Sequence, residues 1–90
     1  MKKAFLYRIK GRVQGVGFRF FAYKKAELIG VKGYVKNLPN GDVEVWGEGD
    51  ENQLKEFENF LRKGPTFARV VEIQKEEQVP ENFQSFEIKY

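Results

Sequence analysis

Ninety residues, 41% of them hydrophobic and 16% aromatic, can fill one packed core but not two, so residues 1–90 are expected to form a single domain. The chain has no cysteine and no histidine, which excludes a disulfide framework, a thiolate nucleophile, cysteine-based zinc sites and imidazole acid–base catalysis together. A formal net charge of +3 favours anionic partners without choosing among them.

Hydroxyl nucleophiles are also scarce. Ser85 is the only serine and Thr66 the only threonine, and neither has an activating base beside it in sequence. The segment Met1–Phe5 lacks the apolar run and cleavage site of a secretory leader, and no stretch approaches the ~20 apolar residues of a membrane span. With the absence of cysteine, this gives the expectation of a cytoplasmic protein without a membrane partner.

In chain order, residues 4–10 alternate, with Phe5, Tyr7 and Ile9 on one side and Leu6, Arg8 and Lys10 on the other, which predicts a strand that can extend to Val13. Gly11, Gly15 and Gly17 punctuate the next segment. Phe18, Ala22, Ala26 and Ile29 then recur at helical spacing, and Gly30 ends the helix. Residues 31–38 and 42–48 read as strands, and Pro39-Asn40-Gly41-Asp42 between them contains the Asn-Gly pair of a tight primed hairpin turn. Trp46 is expected to pack against that hairpin.

Asp50 and Gln53 form a capping-box pattern before an apolar stripe of Leu54, Phe57 and Leu61, and Gly64-Pro65 stops it, so a second helix is expected over 51–63. Residues 67–76 read as a further strand, and Phe86, Ile88 and Tyr90 alternate in a short terminal strand after Pro80. The order predicts an α+β, ferredoxin-like βαββαβ sandwich. Its antiparallel sheet would carry two helices on one face, plus a short extra C-terminal strand.

A glycine-rich turn between a strand and a helix can direct several backbone N–H groups inward, where the free donors of the helix's first turn join them. Gly15 and Gly17 are placed to let an anion approach the main chain closely. Arg19, at the helix start, can add paired charge-assisted hydrogen bonds. Hydrogen bonds to a charged group contribute about 1.5 to 3 kcal/mol, against about 0.3 to 1 kcal/mol for an exposed helix terminus, so Arg19 is the principal grip and the loop orients. The segment lacks the Lys-Ser/Thr of a Walker loop and the third glycine and downstream acid of a dinucleotide fingerprint. The carboxylates, Asp42, Asp50 and the glutamates, are scattered over surface-type positions without metal-ligand spacing, so neither a metal nor a cofactor is expected.

The run Gly11-Arg12-Val13-Gln14-Gly15-Val16-Gly17-Phe18-Arg19 resembles the N-terminal signature of the acylphosphatase family. The run Gly33-Tyr34-Val35-Lys36-Asn37-Leu38-Pro39-Asn40-Gly41-Asp42-Val43-Glu44-Val45 resembles its second signature, and the resemblance extends over essentially the whole chain. It implies hydrolysis of small acyl phosphates to a carboxylate and inorganic phosphate. The amides of Gly15, Val16, Gly17, Phe18 and Arg19 and the Arg19 side chain would bind the phosphoryl group, and the Asn37 carboxamide would orient the attacking water. The family's compactness around this arginine also suggests that the Tyr90 carboxylate approaches Arg19.

A nucleic-acid-binding module is the main rival, because the same element order serves RNA-recognition domains and the chain is basic with aromatic strands. Its stacking motif is missing, however: residues 41–47 read Gly-Asp-Val-Glu-Val-Trp-Gly, with two acids, and no nucleic-acid partner is expected. A third reading is a phosphate-cradling domain of the kind found inside larger carbamoyl-transfer proteins. A chain of 90 residues favours the free enzyme, with a monomer as the default state.

Overall fold

The structure is a computed structural model that describes residues 1–90. Its elements are β1 (Lys3–Arg12), α1 (Phe18–Ile29), β2 (Lys32–Asn37), β3 (Val43–Gly49), α2 (Glu51–Lys63), β4 (Arg69–Gln78) and β5 (Phe86–Lys89). The five strands form one sheet in the order β4-β1-β3-β2-β5. Alternation decides which residues meet the helices. Tyr7 and Ile9 of β1, Val35 of β2, and Val43 and Val45 of β3 join Phe18, Ala22 and Ala26 of α1 and Leu54, Phe57 and Leu61 of α2 in one buried cluster. Both helices therefore cover the same face of the sheet, as a ferredoxin-like α+β sandwich requires.

The helix boundaries agree with the sequence. Gly30 ends α1 in a left-handed conformation, its N–H bonded to the Ala26 carbonyl. At α2 the capping box is complete: the Gln53 N–H donates to Asp50 Oδ1 (2.8 Å), and the Asp50 N–H donates to Gln53 Oε1 (2.9 Å).

Three expectations about the strands need correction. The sheet is mixed rather than antiparallel throughout, because β5 pairs in parallel with β2. The chain leaves β4 at one edge of the sheet, and residues 79–85 carry it to the opposite edge before β5 begins. The strand expected at 67–76 runs from Arg69 to Gln78, because residues 65–68 form a turn closed by the Ala68 N–H on the Pro65 carbonyl.

The hairpin between β2 and β3 is not a two-residue primed turn. A primed turn centred on Asn40-Gly41 needs positive φ at its first central residue; Gly41 has a positive φ (99°), but Asn40 does not. Leu38 and Asp42 close a three-residue loop instead, with the Leu38 N–H on the Asp42 carbonyl and the Gly41 N–H on the Leu38 carbonyl. Pro39, its φ fixed near −65°, suits the first position of such a loop and leaves the left-handed position to Gly41.

Across the hairpin, Trp46 stacks on Tyr34 (centroids 6.4 Å apart, planes 18°) on the face away from the helices, and Phe83 from the crossing segment lies against both rings. The crossing is tied down by a buried carboxylate. Glu48, 1% exposed, accepts from the Trp46 indole (2.9 Å), the Phe83 amide (3.1 Å) and the Glu81 amide (2.5 Å). Burial alone raises the pKa of this carboxyl. The amide of Glu81, the indole and the amide of Phe83 outweigh that effect and hold it below the ordinary carboxylate value.

A carboxyl whose pKa is lower folded than unfolded stabilises the fold above its unfolded pKa and loses that contribution as the pH falls through the folded value. Glu48→Gln should therefore lower stability at pH 7 by about 1 to 3 kcal/mol, read from urea midpoints. The gap to the unsubstituted protein should narrow as the pH drops below about 4.5. A gap constant from pH 7 to pH 3 would contradict this.

Candidate active site

Between the end of β1 at Arg12 and the start of α1 at Phe18, five residues must carry the chain from the sheet into the helix layer. Gly15 (φ 76°) and Gly17 (φ 78°) both adopt left-handed conformations. A Cβ at either position would meet nothing within 4 Å, so backbone angle rather than crowding calls for glycine. Gly17 is also the N-cap of α1, and no side chain caps the helix. The first helical bond runs from the Phe21 N–H to the Gly17 carbonyl (3.0 Å), and the N–H groups of Gly15 through Phe20 donate to no protein acceptor. Free N–H groups at a helix start make a partial positive charge.

Arg19 emerges from the first turn of this helix. Its Nη1 donates to the Lys89 carbonyl (3.1 Å), and its guanidinium carbon lies 4.7 Å from the centre of the Tyr90 ring. It joins none of the six ion pairs in the fold. The suggested approach of the Tyr90 carboxylate gives way to a ring contact and a neutral carbonyl, which orient the guanidinium without neutralising it.

Asn37, the last residue of β2, shares the helix-facing side of the strand with Gly33 and Val35. Its position therefore faces the start of α1. Its carboxamide enters none of the side-chain hydrogen bonds of the fold. Gly15, Gly17, Phe18, Arg19 and Asn37 line one cavity of about 230 Å³, together with Val13, Phe20, Ile88 and Tyr90. The expected residues thus come together, apart from Val16, which does not line the cavity and is half-buried against the core.

The family model for acylphosphatase matches residues 5–88. An acylphosphatase from Thermotoga maritima is 49% identical over 88 residues, 98% of each chain. The crystal structure of acylphosphatase from Bacillus subtilis superposes with a TM-score of 0.95 at 37% identity, covering all of both chains. HypF from T. kodakarensis, at 38% identity and a TM-score of 0.87, matches 98% of this chain with 12% of its own.

The chain belongs to the acylphosphatase family. Within the two signature runs, a brace joins residues that the sequence reading left without a role. Gln14 Nε2 donates to both the Leu38 carbonyl and the Asp42 carbonyl, each at 2.8 Å, and so ties the glycine loop to the hairpin that carries Asn37. Asp42, expected at the surface, is only 7% exposed and receives Lys10 Nζ (2.9 Å) and Asn40 Nδ2 (3.1 Å). The Lys10 hydrogen bond lowers the pKa of its carboxyl against the opposing effect of burial. Glu48 is likewise buried rather than at the surface. The double acceptor pattern around Gln14 has no signal in sequence, since its partners are main-chain atoms 24 and 28 residues away. Nowhere do three or more carboxylates gather into a metal-ligating group.

Gln14→Ala should lower stability by about 1 to 2 kcal/mol, since the Leu38 and Asp42 carbonyls each lose one of two donors and the tie between loop and hairpin is broken. Urea unfolding midpoints of the variant and the unsubstituted protein are the check.

Proposed function

We propose that this chain hydrolyses small acyl phosphates by in-line attack of a water held by the Asn37 carboxamide, while Arg19 and the amides of Gly15 to Arg19 hold the phosphoryl group. Membership of the acylphosphatase family supplies the reaction class, hydrolysis of a carboxyl–phosphate bond. The observation that carries the residue roles is the convergence on one cavity of free backbone donors, a guanidinium without a carboxylate partner and a carboxamide without a hydrogen bond.

The chemistry fits a protein without histidine. Water oxygen bonds to phosphorus as the bond from phosphorus to the acyl oxygen breaks, and the electron pair leaves with a carboxylate. That leaving group needs no proton at neutral pH, its conjugate acid having a pKa of about 4. A non-bridging phosphate oxygen accepts the proton of the attacking water. What remains for the protein is positioning and stabilisation of charge on the equatorial oxygens. Asn37 suits water placement because its amide both accepts and donates without acting as a base. The reading takes a cytoplasmic monomer acting without metal or cofactor.

Benzoyl phosphate hydrolysis measured in chelator tests it. Wild-type turnover should be undiminished by the chelator. Arg19→Gln should lose about two to three decades of rate, corresponding to about 2.7 to 4 kcal/mol for one preorganised donor. Asn37→Ala should lower kcat far more than it weakens inorganic phosphate binding. Unchanged turnover in a folded Asn37→Ala protein removes Asn37 from the mechanism, and loss of wild-type activity in chelator removes the metal-free reaction.

A further inference from the structure

The cavity holds more apolar wall than a phosphate needs. A phosphoryl group is served by the amides, Arg19 and Asn37, yet Phe20, Ile88 and Tyr90 line the same space. Ile88 is half-buried and packs against the core, and the Tyr90 ring has Arg19 on one face. Phe20 differs. It follows Arg19 in the first turn of α1, remains 60% exposed, and its ring neighbours, Tyr23 at 6.4 Å and Lys24 Nζ at 5.9 Å, do not cover it. A large aromatic left uncovered at the rim of an anion cradle offers a flat apolar face beside the position of the phosphate.

We propose that Phe20 is the acyl-group contact of this site, with Tyr90 lining the same cavity, and that it selects acyl phosphates whose acyl group is a flat, apolar ring over those with a small one such as acetyl. The proposal rests on the reaction argued above and adds to it the substrate class and the residue that sets it. The phosphoryl end is common to every acyl phosphate and cannot discriminate among them, so selectivity must come from a wall that touches the acyl end. Phe20 and Tyr90 are the wall residues with exposed rings (60% and 100%), and of the two only Phe20 has no guanidinium against its ring. Loss of an aromatic face contact is worth about three- to tenfold in binding.

The test is the ratio of kcat/KM for benzoyl phosphate to that for acetyl phosphate in the wild type, Phe20→Ala and Phe20→Leu, with Leu28→Ala as a control. Leu28 is more exposed than Phe20 on the same helix (72%) and lies outside the cavity. The ratio should fall about three- to tenfold in Phe20→Ala, fall less in Phe20→Leu, and stay at the wild-type value in Leu28→Ala. Calorimetric binding of phenylphosphonate against methylphosphonate should follow the same order without requiring turnover. A ratio unaltered by Phe20→Ala, with both substrates still hydrolysed, overturns the subsite and leaves the reaction standing. If the wild type hydrolyses neither substrate while Phe20→Ala still removes a preference for phenylphosphonate, the reaction fails and the apolar contact survives.

Discussion

The two hydrogen bonds from the Gln14 carboxamide join parts of the site that the sheet alone leaves separate. The glycine loop closes β1, whereas Asn37 closes β2, and β3 lies between them. By donating to the Leu38 and Asp42 carbonyls at 2.8 Å, Gln14 fixes the loop against the hairpin on the far side of that gap. Phosphoryl transfer by positioning tolerates little error in the placement of water against phosphorus, and an ångström of misplacement costs about a hundredfold in rate. A neutral brace also suits an anion site, since it adds no charge to compete with the ligand.

Charge is arranged on the same logic. Two carboxylates of the hairpin have cationic partners of their own: Asp42 is held by Lys10 with Arg8 nearby, and Glu44 by Tyr34 and Lys36. Arg19 is left with a carbonyl and an aromatic face. A guanidinium already paired with a carboxylate would have to break that pair to bind phosphate, whereas one oriented by neutral partners retains its full attraction. β5 and the residue after it supply both partners. The anchoring of residues 79–85 by Glu48 at the other end of the sheet thus bears on the site through the strand that the segment delivers.

Much of this was legible in the sequence because it depends on local rules. Apolar spacing and capping residues fixed the limits of both helices, and two glycines before Arg19 marked the cradle. The departures came where a local signal was ambiguous or where the partner was distant. Asn40-Gly41 signalled a primed turn, but Pro39 ahead of it demanded a backbone angle that only a longer loop provides. β5 alternates like any strand, and nothing in its composition says that the chain first crosses the sheet and so pairs in parallel with β2. Glu48 and Asp42 looked like surface acids. Their burial depends on the amides of the crossing segment and an indole at Glu48, and on Lys10 at Asp42, which single-residue polarity does not report.

The aromatic residues illustrate the same point. Tyr34 and Trp46 lie on the sheet face away from the helices, where an RNA-recognition domain would present stacking rings. Phe83 from the crossing segment packs against both, and Trp46 is only 8% exposed. Phe20 and Tyr90, by contrast, remain open beside the glycine loop. In a fold that serves many chemistries, function is set by which surface the irregular segments cover and which they leave bare. Here the segment after β4 covers the sheet, and the loop after β1 opens a cavity that Arg19 and Asn37 line.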